Sequence, residues 1–182
     1  MKDSLNNNLK LDSIDLRDKC LQIANMAGDN AAHIGGALSC IDFIACVDRL
    51  YNISKNKETL RSIILSKGHA CLALYSLISK QGVISIEEIA NSFENDNSKF
   101  LGHPSRDLSL GIQFSTGSLG NGLAHAAGKA LFIKEKSNSN SIDLPTICIV
   151  GDGECNEGII WETFQFISGR KLNNLIIFID CN

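Results

Sequence analysis

The chain has 182 residues, 44% of them hydrophobic and 20% charged, with a formal net charge of -3. That length can bury the core of one domain, and the mild acidity offers no basic surface for nucleic acid or an anionic membrane. No apolar run reaches the length of a membrane span. The opening "MKDSLNNNLKLDS" lacks the apolar centre of a signal peptide, so the cytoplasm is the expected compartment.

Residues 1–10 read as an N-terminal extension and 11–182 as the domain. Over 13–27, Ile14, Leu16, Cys20, Leu21, Ile23 and Ala24 recur with helical spacing, and Gly28 closes the helix. A second helix is predicted from Ser39, with Asp42 completing a capping box, through Leu50. "RSIILS", 61–66, is a short apolar strand. "ACLALYSLIS", 70–79, reads as a helix, and "SIEEIANSF", 85–93, as another with Ser85 and Glu88 at its start. "LAHAAGKALFIKE" is a helix whose small residues permit close packing. "SNSNS", 137–141, reads as a surface loop. Pro104 and Pro145 fall in connections. "TICIV", 146–150, is a strand by its β-branched content, a helix follows over 157–170, and "NLIIFID", 174–180, is a further strand.

Strand, glycine turn, helix and strand over 146–180 form a βαβ unit, which requires a parallel sheet covered by helices. The predicted class is therefore α/β. Seven cysteines at 20, 40, 46, 71, 148, 155 and 181 form no Cys-x-x-Cys pair. Most sit in apolar patterns, as small buried thiols do, so neither a disulfide framework nor a zinc site is expected. Cys155, beside the motif described next, reads as a tolerated small residue.

The most informative stretch is "IVGDGECNEGIIWETF", 149–164. Ligands of open parallel sheets gather beyond the carboxyl ends of the strands. Gly151-Asp152-Gly153 and Asp180-Cys181-Asn182 both fall at such ends. The glycines let backbone approach a ligand, and backbone N–H groups at a helix start favour an anion such as phosphate. Asp152 adds a hard oxygen ligand and Asn182 a second, the donor type that magnesium shares with phosphate oxygens. Alone, the tripeptide reads more simply as a turn. It has neither the Gly-x-Gly-x-x-Gly spacing of a dinucleotide fingerprint nor a Walker-type Gly-Lys-Ser/Thr.

Three further stretches occur in order: "HIGGALSCIDFIACVDRLY", "LSKGHACLALYSLIS" and "LGHPSRDLSLGIQFSTGSLGNGLAHAAGKAL". With "GDGECNEGIIWETFQFISGRKLNNLIIFIDCN" they resemble the thiamine-diphosphate-binding part of the transketolase family, over nearly everything after residue 10. The style is most similar to separately encoded N-terminal transketolase subunits. The resemblance implies the thiamine diphosphate-binding fold, with thiamine diphosphate and Mg²⁺ as cofactors. It implies transfer of a two-carbon ketol unit from a ketose phosphate to an aldose phosphate.

Position by position, the resemblance implies that Asp152 and Asn182 hold Mg²⁺ and that Gly153 and His69 contact the diphosphate. Gly117, Ser118 and Leu119 would line the aminopyrimidine. Gly151 and Glu154 are counted with the cofactor-binding residues as members of the same Gly-Asp-Gly-Glu stretch. His33 and His103 would face the sugar oxygens as catalytic groups, and Glu157 would form a carboxylate link at a subunit interface. Taken singly, each has a plainer reading. A lone histidine is more often a surface or packed residue, which is the reading given to His125. Glu157 suits the first turn of any helix, and Trp161 and Glu162 suit packing or surface. The preference rests on the motifs occurring together.

The sequence departs from the family at three points. Ile34 replaces the usual proline beside His33, which would loosen that loop. The resemblance leaves the family's pyrimidine-binding domain, with the activating glutamate, outside these 182 residues. The chain stops at Asn182, so a truncated diphosphate domain is expected, inactive alone. Its expected partner is a C-terminal transketolase subunit, in a homo- or hetero-oligomer. Alternatives are a 1-deoxyxylulose-5-phosphate synthase-like or other thiamine-diphosphate enzyme, or a non-catalytic remnant.

Overall fold

The structure, a computed structural model, describes residues 2–28, 32–82, 84–136 and 144–182. In chain order the elements are α1 (Lys2–Ala27), α2 (Ile34–Ser39), α3 (Ile41–Tyr51), α4 (Lys57–Leu60), β1 (Ile63–Leu65), α5 (Cys71–Lys80), α6 (Ile86–Ser92), α7 (Asn121–Lys136), β2 (Thr146–Gly151), α8 (Gly158–Arg170) and β3 (Leu175–Asp180). The strands form a parallel sheet in the order β1-β2-β3. This is the α/β architecture read from the βαβ pattern. The predicted "SNSNS" loop lies outside the described residues.

Strand alternation explains the two layers. Successive side chains of a strand point to opposite faces, so a central strand must be apolar throughout. β2 is buried at every position. Ile147 and Ile149 join one core with Leu16, Ile23, Ile44, Leu72 and Tyr75, contributed by α1, α3 and α5. Cys148 and Val150 join the opposite core with Leu123, Ala126 and Ile160 of α7 and α8. β3 is only partly buried, with Ile176 and Ile179 exposed, as suits an edge of the described sheet. Phe178 stacks on Phe43 at 3.9 Å between ring centres, tying this edge to α3.

Close packing at α7 needs its small residues. A Cβ on Gly122 would lie 2.5 Å from Ser66 Cα, so the helix start sits directly against the end of β1. All seven cysteines are free thiols. Burial pushes Cys20 up to about 11 and Cys40 and Cys71 up to about 12, which leaves them as protonated, unreactive core residues. No helix among the described residues is long and apolar enough to cross a membrane.

Two predicted boundaries need correction. α1 begins at Lys2, so the helix predicted over 13–27 starts well before residue 13. Ser39 does not cap a helix. It is the last residue of α2, and α3 starts two residues later, behind Cys40, which makes no side-chain cap. The Ser39 hydroxyl donates instead to Asp180 Oδ2 at 2.5 Å, 141 positions along the chain. Asp42 forms an ion pair with Arg17 of α1 at 2.8 Å. Ser85, by contrast, caps α6 as predicted, accepting from the Glu88 N–H at 3.1 Å.

Candidate functional site

The three strands among the described residues point their carboxyl ends at one edge, and their exits enclose a cavity of about 310 Å³. Lys67 and His69 line it from the turn after β1, Gly151–Glu154 from the turn after β2, and Asn182 from the exit of β3. Leu119, in the loop before α7, closes another side. β2 and β3 are adjacent, with Gly151 opposite Asp180 in the register. That pairing is what brings Asp152 and Asn182 to the same cavity.

The walls are joined by Glu154. Its side chain is 1% exposed, and its carboxylate accepts three hydrogen bonds. Ser66 Oγ and the Gly120 N–H reach Oε1 at 2.7 Å each, and the Gly151 N–H reaches Oε2 at 2.8 Å. The end of β1, the loop before α7 and the end of β2 thus meet on one buried anion. The loop fits only with glycine at its tight points. Gly117 has φ +144 and would place a Cβ 3.0 Å from His103 Cδ2. Gly120 has φ +82 and would place one 2.5 Å from Ile159 Cγ2. A Cβ on Gly68 would likewise lie 2.8 Å from Gly117 N.

Three of the four histidines gather at this edge. The His33 ring lies 5.7 Å from His69 and 6.4 Å from His103, centre to centre, with edge-on geometry in both pairs. His125 is exposed on α7 and stacked on Phe114 at 4.7 Å, within the surface-or-packed reading given to it. Ile34, in place of the proline, opens α2 and donates its N–H to Ala32 O at 3.1 Å.

Burial lowers the His69 pKa below the ordinary imidazole value. The Lys67 ammonium and the His33 and His103 rings push the same way, and Glu154 opposes them. Neutral His69 is therefore favoured at neutral pH. In the unfolded chain the ring binds a proton at higher pH than in the folded one. Its contribution to stability is present above the ordinary histidine pKa and is lost as pH falls through the lower folded value. Ring resonances followed by NMR should show His69 titrating below that ordinary value. Titration at or above it would refute this electrostatic account.

The residues fit an anionic cofactor with a hard divalent ion. Asp152 is exposed, and its carboxylate makes no hydrogen bond or ion pair among the described residues. The space where a Gly153 Cβ would sit is open to 4 Å, leaving its backbone approachable. No cluster of three or more His, Cys, Asp or Glu suited to a metal occurs among the described residues. An ion here would draw on few protein oxygens and complete its shell from a ligand and water, which is the habit of magnesium.

Not every expected residue lines the cavity. Glu157 stands exposed at the start of α8, and Gly117 and Ser118 lie in the loop beyond Leu119. Glu154 does line the cavity, but its carboxylate is taken up by protein donors. Trp161 is 59% exposed and donates to Cys155 O at 2.9 Å, a surface helix residue as read. Sequence reasoning missed Lys67, which lines the cavity while its ammonium is buried against Asp180. The one signal was a lysine enclosed between a buried strand and Gly68.

Residues 18–182 match the family described as transketolase, thiamine diphosphate binding domain. A 6-deoxy-6-sulfo-D-fructose transketolase subunit from Clostridium sp. (strain MSTE9) is 35% identical over 154 residues, covering 82% of this chain and 54% of that protein. One of the subunits of an apulose-4-phosphate transketolase from Phocaeicola vulgatus is 35% identical over 179 residues, covering 96% of this chain and 60% of that one. The chain therefore spans between half and two thirds of the length of these curated relatives. The solved transketolase of Campylobacter jejuni superposes with a TM-score of 0.81 at 32% identity, over 96% of this chain and 28% of that one. With the family match covering 18–182, and the glycine turn and strand-end cavity lying within it, this chain belongs to the thiamine diphosphate-binding domain of the transketolase family.

Proposed function

We propose that the strand-end cavity binds Mg²⁺ and thiamine diphosphate for transfer of a two-carbon ketol unit from a ketose phosphate to an aldose phosphate. The observation that carries this reading is one cavity lined by Asp152, Gly153 and Asn182 together with His69, at the carboxyl ends of parallel strands. Asp152 and Asn182 would hold the metal by side-chain oxygens. The Gly153 N–H and a neutral His69 would bind diphosphate oxygens. Leu119, with Gly117 and Ser118 behind it, would support the aminopyrimidine. When bound, the cofactor supplies a thiazolium carbon that takes up and releases the two-carbon unit. His33 and His103 would orient sugar hydroxyls and move protons at their oxygens, a task suited to imidazole at neutral pH.

A second chain completes the site on this reading. Two relatives are each one subunit of an apulose-4-phosphate transketolase, which supports a separately encoded partner here. That partner would carry the pyrimidine-binding domain, and exposed Glu157 would face the interface between the two. A coupled assay on the purified chain, with a ketose phosphate and an aldose phosphate, should give no turnover alone. Adding the pyrimidine-domain subunit should produce it, with Mg²⁺ and thiamine diphosphate required. Turnover by the chain alone would overturn the two-chain site, and none with the partner would overturn the reaction.

A further inference from the structure

Lys67 is 2% exposed and Asp180 6% exposed, yet neither is catalytic on the reading above. Lys67 Nζ donates to Asp180 Oδ2 at 2.5 Å and to Ser39 Oγ at 3.3 Å. Ser39 Oγ donates in turn to the same Oδ2, also at 2.5 Å. Three groups from three segments thus close a triangle beneath the cavity.

Each vertex stands next to a residue assigned to the cofactor or its substrate. Ser39 ends α2, the short helix that begins immediately after His33. Lys67 is two residues before His69, and Asp180 is two residues before Asn182. α2 also abuts His69 directly: a Cβ on Gly36 would lie 2.8 Å from His69 Cδ2. On the remaining side, Lys67 Cβ lies 3.6 Å from where a Gly151 Cβ would be, one residue before Asp152.

Stability alone does not account for such a pair. Removing two charges from water costs several kcal/mol per ion, and well-packed apolar residues often stabilise a fold as well or better. What a buried, charge-assisted network supplies over an apolar contact is direction, because its donors and acceptors tolerate little displacement. We propose that Lys67, locked by Asp180 and Ser39, is a positioning residue that fixes the His33, His69 and Asn182 walls of the cavity relative to one another. The proposal rests on the cavity being the thiamine diphosphate site.

The test compares Lys67→Met, the double variant Lys67→Met/Asp180→Leu, and Ser39→Ala, all in the 182-residue chain. Lys67→Met leaves an uncompensated buried carboxylate and should lower the melting temperature clearly. The double variant removes both charges and should recover most of that loss. Its Asn182 side-chain amide, Gly153 amide and His69 ring signals should nonetheless stay displaced in NMR spectra of the ligand-free chain. Its Kd for thiamine diphosphate at fixed Mg²⁺, read by Trp161 fluorescence, should stay weaker by roughly tenfold or more. A double variant that regains parent NMR positions or parent affinity along with stability would overturn the proposal.

Ser39→Ala keeps the ion pair and cuts only the α2 leg, so it guards against a double variant that does not fold. It should move the His33 and His69 signals and leave the Asn182 amide in place. Unmoved histidine signals would also overturn the proposal. A parent chain that binds no thiamine diphosphate at millimolar concentration would count against the proposed function, while the NMR positions still decide the role of Lys67.

Discussion

Asp152→Ala should abolish Mg²⁺-dependent binding of thiamine diphosphate to the assembled enzyme while leaving the fold intact. The carboxylate stands at the end of β2 on a glycine-flanked turn, exposed, with no hydrogen bond or ion pair among the described residues. A side chain so placed has no packing role to lose. Its removal breaks no hydrogen bond or ion pair among the described residues, so circular dichroism and melting temperature should match the parent. On the proposed reading it would be one of very few protein oxygens holding the metal. Losing a charged ligand from a hard divalent ion should weaken binding by roughly 100-fold or more, about 3 kcal/mol. Calorimetry with thiamine diphosphate, with and without Mg²⁺, checks this. Unchanged affinity would sink the metal assignment.

Glu154, two residues later, should behave in the opposite way. Glu154→Ala strands three buried donors at once: Ser66 Oγ, the Gly120 N–H and the Gly151 N–H. Hydrogen bonds to a charged acceptor contribute about 1.5–3 kcal/mol, and each stranded group adds its desolvation cost, discounted for partial relaxation. A loss of about 3–5 kcal/mol is expected, large against the roughly 5–15 kcal/mol by which a domain of this size is stable. Glu154→Gln should cost less. Its single carbonyl oxygen can still accept from Ser66 and Gly120, but its amide would meet the Gly151 N–H as donor against donor. Urea unfolding of the two variants should therefore rank alanine below glutamine below the parent. Equal stability of all three would remove Glu154 from its structural role. The two neighbouring carboxylates should thus separate the proposed ligand from the scaffold, Asp152 costing affinity without stability and Glu154 costing stability first.

The difference between the two acids also marks how far sequence reading reaches. Both belong to the same Gly-Asp-Gly-Glu stretch, and from that stretch both read as cofactor-binding. Which one turns inward depends on where Ser66 and Gly120 lie, and those residues are 88 and 34 positions away. Ser39 shows the same limit. Its hydroxyl suits a helix cap, and with Asp42 three residues on it reads as one. The fold uses it instead to bond Asp180 across 141 positions. Short polar side chains serve caps and tertiary bonds equally well, so spacing alone does not choose between them.

The local pattern did determine the architecture. β-branched runs at 146–150 and 174–180 with an intervening helix allow only a parallel βαβ unit, because a crossover of that length returns the chain in the same direction. The glycine turn after the first strand follows from residue type, and strand ends are where open parallel sheets place their ligands. Tertiary structure alone decided the rest. It set the order β1-β2-β3, which puts the turn holding Lys67 and His69 on one side of Asp152 and Asn182 on the other. It brought three histidines from distant loops within 5.7 and 6.4 Å, and it buried Lys67 against Asp180. Periodicity is a property of neighbours along the chain, so a sequence carries it openly. Convergence is a property of a closed core, fixed by packing that many residues share and that no single stretch records.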